Sequence, residues 1–180
     1  GKGSYSQYDY FEEMNKAVPG IFNQIDGYSS HSYPNPAFTS LPSDDTRMSV
    51  NSFTHELALI GTMTNKQLPV FITETGWDQS IIGDKKTGEY LIETLNGAWK
   101  NENIVAITPF LLHSGPGPFE KFTFIKADGS KNEAFKAFES FSKTKGAPHL
   151  NPARKVLGST KNEILPKKDF SDHSHDENGE

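Results

Sequence analysis

Apolar positions along the chain switch between two spacings, and the alternation predicts the element order α, β, α, β, α, β, α. Phe11, Met14 and Val18 recur at helical spacing after Ser4 and Gln7, a pair able to form a capping box, and Pro19-Gly20 breaks or restarts that helix. A strand is predicted through Ile25, Asp26, Gly27 and Tyr28, ending in Ser30-His31-Ser32-Tyr33. The stretch from Pro34 to Asp45, rich in Pro, Ser, Asn and Asp, reads as a loop long enough to carry function. A second helix, opened by Ser49 or Asn51, aligns Phe53, Leu57 and Ile60 on one face. Val70-Phe71-Ile72 has the composition of a strand buried on both faces, as in parallel sheets covered by helices.

A third helix is expected around Tyr90, Leu91, Leu95, Ala98 and Trp99, followed by a third strand from Ile104 to Leu112. The loop His113 to Phe119 is rich in Gly and Pro. Phe122 to Ile125 is a short extended piece, Asp128-Gly129 a turn, and Ser130 with Glu133 a second capping box. The last helix spaces Ala134, Ala137, Phe138 and Phe141 three and four residues apart. Strands alternating with helices of this length imply crossover connections and a parallel sheet, hence an α/β fold. Three strands leave edge hydrogen bonds and one strand face uncovered, so the expectation is that further chain at the front, or a partner, supplies the rest.

The segment Phe71-Ile72-Thr73-Glu74-Thr75-Gly76-Trp77 carries the chemistry. An apolar run that ends in a carboxylate places Glu74 at the carboxyl end of its strand, the working face of parallel α/β folds. An indole three residues on suits a sugar, whose faces stack on aromatic rings and whose glycosidic bonds are cut by carboxylates. The competing reading makes Glu74 a solvated helix-capping residue and Trp77 ordinary packing.

The motif resembles the end of the seventh barrel strand in the retaining (β/α)8-barrel glycoside hydrolases of clan A, the cellulase and β-glucanase-like enzymes, where the catalytic nucleophile sits. His31-Ser32-Tyr33 is similar to the end of the sixth strand, and Ile104 to His113 would be the eighth. The likeness covers roughly residues 5 to 145. It implies the C-terminal part of a TIM barrel, about three βα units corresponding to strands 6 to 8, incomplete at the N-terminus, with residues 1–147 as the partial glycosidase domain. It implies a retaining O-glycosyl hydrolase acting on a β-linked polysaccharide or oligosaccharide, with Glu74 as nucleophile and His31, Tyr33, Trp77 and His113 as substrate contacts. Two departures stand out. No Trp occurs in Pro109-Phe110-Leu111-Leu112, so the sugar platform would come from Trp77 or Phe119, and the Asn-Glu pair that supplies the acid/base has no counterpart. Neither Asp78 nor Glu120 has a motif to support it as a replacement, and the isolated chain is expected to be inactive. The alternative is a non-catalytic carbohydrate-binding or scaffold module derived from such a barrel.

Composition narrows the field further. A formal charge of −5 with only Arg47 and Arg154 as arginines argues against a nucleic-acid groove. Without cysteine there is no disulfide framework and no thiol nucleophile. His55-Glu56 resembles the start of a zinc-protease helix, but the second histidine position is Leu59. Gly115-Pro116-Gly117-Pro118 lacks the Lys of a phosphate loop. No cofactor and no metal is expected, and no run of ~20 apolar residues that would span a bilayer occurs. Residues 148–180, with mixed charges and the polar run Asp172 to Glu177, read as an extended, disordered tail or linker. An extracytoplasmic or secreted location follows only from the substrate class, since no targeting signal is visible.

Overall fold

The structure, a computed structural model, describes residues 6–143. The tail expected over residues 148–180 and the Ser4 cap lie outside the described residues. The fold is α/β. A three-stranded parallel sheet has the order β1-β2-β3, formed by Tyr28–His31, Val70–Glu74 and Ile104–Ile107. Helix α1 (Gln7–Ala17) precedes β1, α2 (Ser52–Ile60) connects β1 to β2, and α3 (Gln79–Ile82) with α4 (Asp84–Asn96) connects β2 to β3. A separate two-stranded parallel sheet joins β4 (Leu111–His113) to β5 (Thr123–Ile125), and α5 (Glu133–Ser140) packs beside α4.

One face of the main sheet is buried. Val70 and Ile72 are 0% exposed and pack with Val50, Phe53, Trp77, Leu91, Leu95 and Trp99. Phe71 points the other way and is 40% exposed, which corrects the expectation of a strand covered on both faces. Side chains alternate across a strand, and among the described residues helices cover only one side of this sheet. A second apolar cluster, Phe22, Tyr28, Ile60 and Leu68, receives Phe11 and Met14 from α1.

The expected strand from Ile104 to Leu112 is two strands. Pro109 has no N–H to give a ladder and restricts the residue before it, so pairing with β2 stops after Thr108 donates to Ile72 O at 2.7 Å. The chain then changes partner to β5. The first strand begins at Tyr28 rather than Ile25, where its N–H reaches Pro69 O at 2.8 Å and β2 begins beside it. The caps also differ from the expected boxes. Ser6 accepts from Asp9 N at the start of α1, and Asn132 accepts from Phe135 N at the start of α5. Gly83, at φ 87°, separates α3 from α4 in a conformation that side chains rarely adopt.

Candidate functional site

Strand β2 delivers Glu74 to the carboxyl end of the sheet, where its side chain is 37% exposed. The β1–β2 register pairs Tyr28, Ser29 and Ser30 with Val70, Phe71 and Ile72, then slips so that His31 lies opposite Glu74. Just past β1, the Tyr33 hydroxyl donates to Glu74 Oε2 at 3.1 Å, and His31 Nδ1 stands 3.5 Å from the same oxygen. Thr75 Oγ1 donates to Ser32 O at 2.8 Å and ties the two strand ends together. Burial pushes the Tyr33 phenol far up from its ordinary value of 10.0, and the Glu74 carboxylate beside it pushes further. Tyr33 therefore stays a hydrogen-bond donor across the physiological range. Among the described residues both contacts to the Glu74 carboxyl fall on Oε2.

Further rings pack around Tyr33. Tyr33 packs edge-on against Phe38 at 5.1 Å and against Phe110 and Phe122 at 6.2 Å. Phe110 meets Phe119 at 5.5 Å, and Phe119 is 54% exposed, so the rim of the cluster offers an open aromatic face. The backbone holds these rings in place. Phe110 N donates to Thr75 O at 2.9 Å, and Phe38 O accepts Asp78 N at 2.9 Å. Ala37 and Phe38, at φ 56° and 59°, are two consecutive non-glycine residues in the left-handed region, where strain persists only if the surroundings enforce it. Lys121 lies 5.2 Å above Phe38 and 5.3 Å above Phe122 while its ammonium reaches Asp78 at 2.9 Å. Lys121 also lines an open groove of about 860 Å³ with Ser80, Ser114, Pro118 and Glu120.

The expected site residues divide. His31, Tyr33 and Glu74 come together. Trp77 does not join them: it is 2% exposed in the core, with Nε1 donating to Ser40 O at 2.9 Å and its ring against Tyr90 and Trp99. This corrects the assignment of Trp77 as a sugar contact, because an indole enclosed by α4 has no face to offer. His113 is exposed but engaged in the second sheet, where Nδ1 lies 2.9 Å from Ile125 O. Asp78 is buried, caps α3 through Ser80 N and Ser80 Oγ, and pairs with Lys121. Burial pushes its carboxyl up, but these hydrogen bonds and the ammonium outweigh burial and hold it below the ordinary value. A general acid needs the opposite shift.

The ring cluster of Phe38, Phe110 and Phe122 escaped the sequence reading. The sequence puts Phe110 inside a strand, and its position right after Pro109 is the one local sign that it leaves the ladder. Glu56 carries no sequence signal beyond the incomplete zinc pattern, yet it lies on the inward stripe of α2 between Phe53 and Ile60. It is 2% exposed and accepts from Tyr28 Oη at 2.9 Å and Ser30 Oγ at 2.6 Å.

Among the described residues no group of three or more His, Asp or Glu side chains could hold a metal ion, and no helix is long and apolar enough to cross a membrane. Compared with known proteins, the chain matches no family model, no curated protein and no solved structure.

Proposed function

We propose that Glu74 is the nucleophile of a retaining O-glycosyl hydrolase acting on a β-linked polysaccharide or oligosaccharide. The single observation that carries this reading is a strand-end carboxylate with one oxygen held by the Tyr33 hydroxyl and the other without a partner among the described residues, with Tyr33 itself joined through Phe110 to the exposed ring of Phe119. The parallel order β1-β2-β3 with helical crossovers supports the reading of these elements as successive units of a (β/α)8 barrel, with Glu74 at the end where barrel enzymes gather their reacting groups. In the reaction Glu74 Oε1 attacks the anomeric carbon as the glycosidic C–O bond breaks, forming a glycosyl ester. A second carboxyl, about 5 to 5.5 Å away in retaining enzymes, protonates the leaving oxygen and then activates the water that cleaves the ester. Asp78 is unsuited to that task. The acid/base in this reading comes from a carboxyl outside the described residues, and the substrate class carries with it the proposal of an extracytoplasmic setting.

An activated leaving group needs no acid, so the nucleophile can be tested by itself. The chain is incubated with a panel of dinitrophenyl fluoro-sugar β-glycosides and digested for mass spectrometry. The expected result is one sugar adduct on the peptide carrying Glu74, lost in Glu74→Gln. An adduct on another residue, or none from any sugar, defeats the assignment.

A non-catalytic carbohydrate-binding module is the second reading, favoured by the exposed Phe119 ring and by the low-lying Asp78 carboxyl. It predicts that Phe119→Ala weakens sugar affinity by about 1 to 3 kcal/mol through lost stacking and apolar contact, while Glu74→Gln changes nothing. Titration calorimetry with oligosaccharides separates the two.

A further inference from the structure

Strand β1 sends its side chains alternately to two sides. Tyr28, Ser30 and Ser32 are buried on the helix side, and Ser29 and His31 lie on the open side. A regular parallel ladder would set His31 opposite Thr73, yet the register slips between Ser30 and His31 and sets it opposite Glu74. Irregularities of this kind re-aim side chains and leave the local ladder unable to fix them. The position of His31 and of Tyr33 two residues later thus depends on contacts outside the ladder.

One comes from the end of β2, where Thr75 Oγ1 donates to Ser32 O at 2.8 Å; the others converge on helix α2. Glu56 Oε2 accepts the hydroxyls of Tyr28 at 2.9 Å and Ser30 at 2.6 Å, so the last buried residue before the slip is bonded to it directly. Ser30 Oγ lies 2.9 Å from Ser32 Oγ, which accepts from Ser52 Oγ of α2 at 3.1 Å. From the far side Gln7 Nε2 donates to the Tyr28 hydroxyl at 2.7 Å. The same helix holds the loop after β1, through His55 Nε2 2.9 Å from Asp45 Oδ1 and Asn51 Nδ2 donating to Asp44 O at 2.9 Å. A carboxylate that is 2% exposed is costly to bury, and an apolar residue would fill the stripe between Phe53 and Ile60 at less cost.

We propose that Glu56 is a positioning residue: by gripping Tyr28 and Ser30 it fixes the slipped end of β1 and so holds the Tyr33 hydroxyl on Glu74. The assignment builds on the reading of Glu74 as the reacting carboxylate, but its test needs no turnover. Tyr33 in the full chain is observed by the ¹³Cζ resonance of labelled tyrosine at neutral pH, which reports the hydrogen bond of the phenol, with Tyr33→Phe for assignment. Glu74→Gln marks the resonance for the altered contact. Glu56→Gln and Ser30→Ala are each expected to move it at least half as far in the same direction while the fold is retained. A purely structural Glu56 would lower the melting temperature and leave the Tyr33 resonance in place, and that outcome in both variants overturns the proposal. An unmoved resonance in Glu74→Gln overturns it too, since there would then be no contact to position. If Glu56→Gln fails to fold, Ser30→Ala decides by the same criterion. Absence of any sugar adduct on Glu74 would count against the glycosidase reading and not against this one.

Discussion

At the scale of single residues, the Tyr33–Glu74 contact joins sequence to chemistry most directly. Glu74 closes β2 and Tyr33 lies two residues past β1, and the placement of Glu74 is legible from an apolar run stopping at a polar residue. Tyr33→Phe removes a hydrogen bond to a charged acceptor, a contact worth about 1.5 to 3 kcal/mol when buried and less here because Glu74 is 37% exposed. If Glu74 is the proposed nucleophile, its sugar labelling should slow about tenfold, measured as the rate of adduct formation. Tyr28 and Tyr33 also set an alkaline limit. Burial first, then the carboxylates Glu56 and Glu74, raise the two phenols above the 10.0 they have when unfolded. The folded state then holds protons that the unfolded state releases, so the contribution to stability is full below pH 10 and falls as pH rises beyond it. Urea midpoints should be level up to about pH 10 and decline above it, and Tyr28→Phe should flatten the decline.

At the scale of elements, the chain signals what each segment is more faithfully than where it ends. Ser130 and Glu133 have the spacing of a capping box, yet Asn132 caps α5 because its side chain also donates to Thr123 O at 2.7 Å and Gln79 Oε1 at 3.1 Å. That choice is made by β5 and α3, elements distant in sequence. Asp78 is another cap with two duties. Asp78→Ala removes the α3 cap and leaves the Lys121 ammonium unpaired, a loss of about 1 to 2 kcal/mol from the cap alone, measurable by urea denaturation. Since its folded carboxyl lies below the ordinary value, its contribution is present above about pH 4 and is lost as pH falls further. The stability gap between wild type and Asp78→Asn should close in that acid range. Helices α4 and α5 meet closely at Gly88, where an added Cβ would stand 2.9 Å from Glu133 O. Gly88→Ala is expected to destabilise by about 1 to 3 kcal/mol despite the better helix propensity of alanine, and a thermal melt of that variant checks it.

At the scale of the whole molecule, the described sheet is open. β1 and β3 are its edges, and Phe71 (40% exposed) with Val105 (46%) lies on surface that no helix among the described residues covers. Unpaired parallel edges beside exposed apolar side chains template association with other chains. Size-exclusion chromatography with light scattering should show a mass that grows with protein concentration, and Phe71→Lys should bring it toward the monomer. A concentration-independent monomer in the wild type would show that this face is satisfied within the chain.

What the sequence determined by itself is the α/β alternation, the parallel order that helical crossovers require, and the placing of His31, Tyr33 and Glu74 at strand ends, because periodicity and strand termination are local properties. Tertiary structure decided the remainder. Trp77 is core and Phe119 rim because burial depends on which side α4 and α5 cover, not on residue type. Phe110 reaches the ring cluster because Pro109 releases it from one sheet into another. Glu56 faces Tyr28 and Ser30 because α2 and β1 pack together across a loop whose path no local pattern fixes. The geometry at Glu74 is long-range in origin, since its partners approach from segments about forty residues away in the chain.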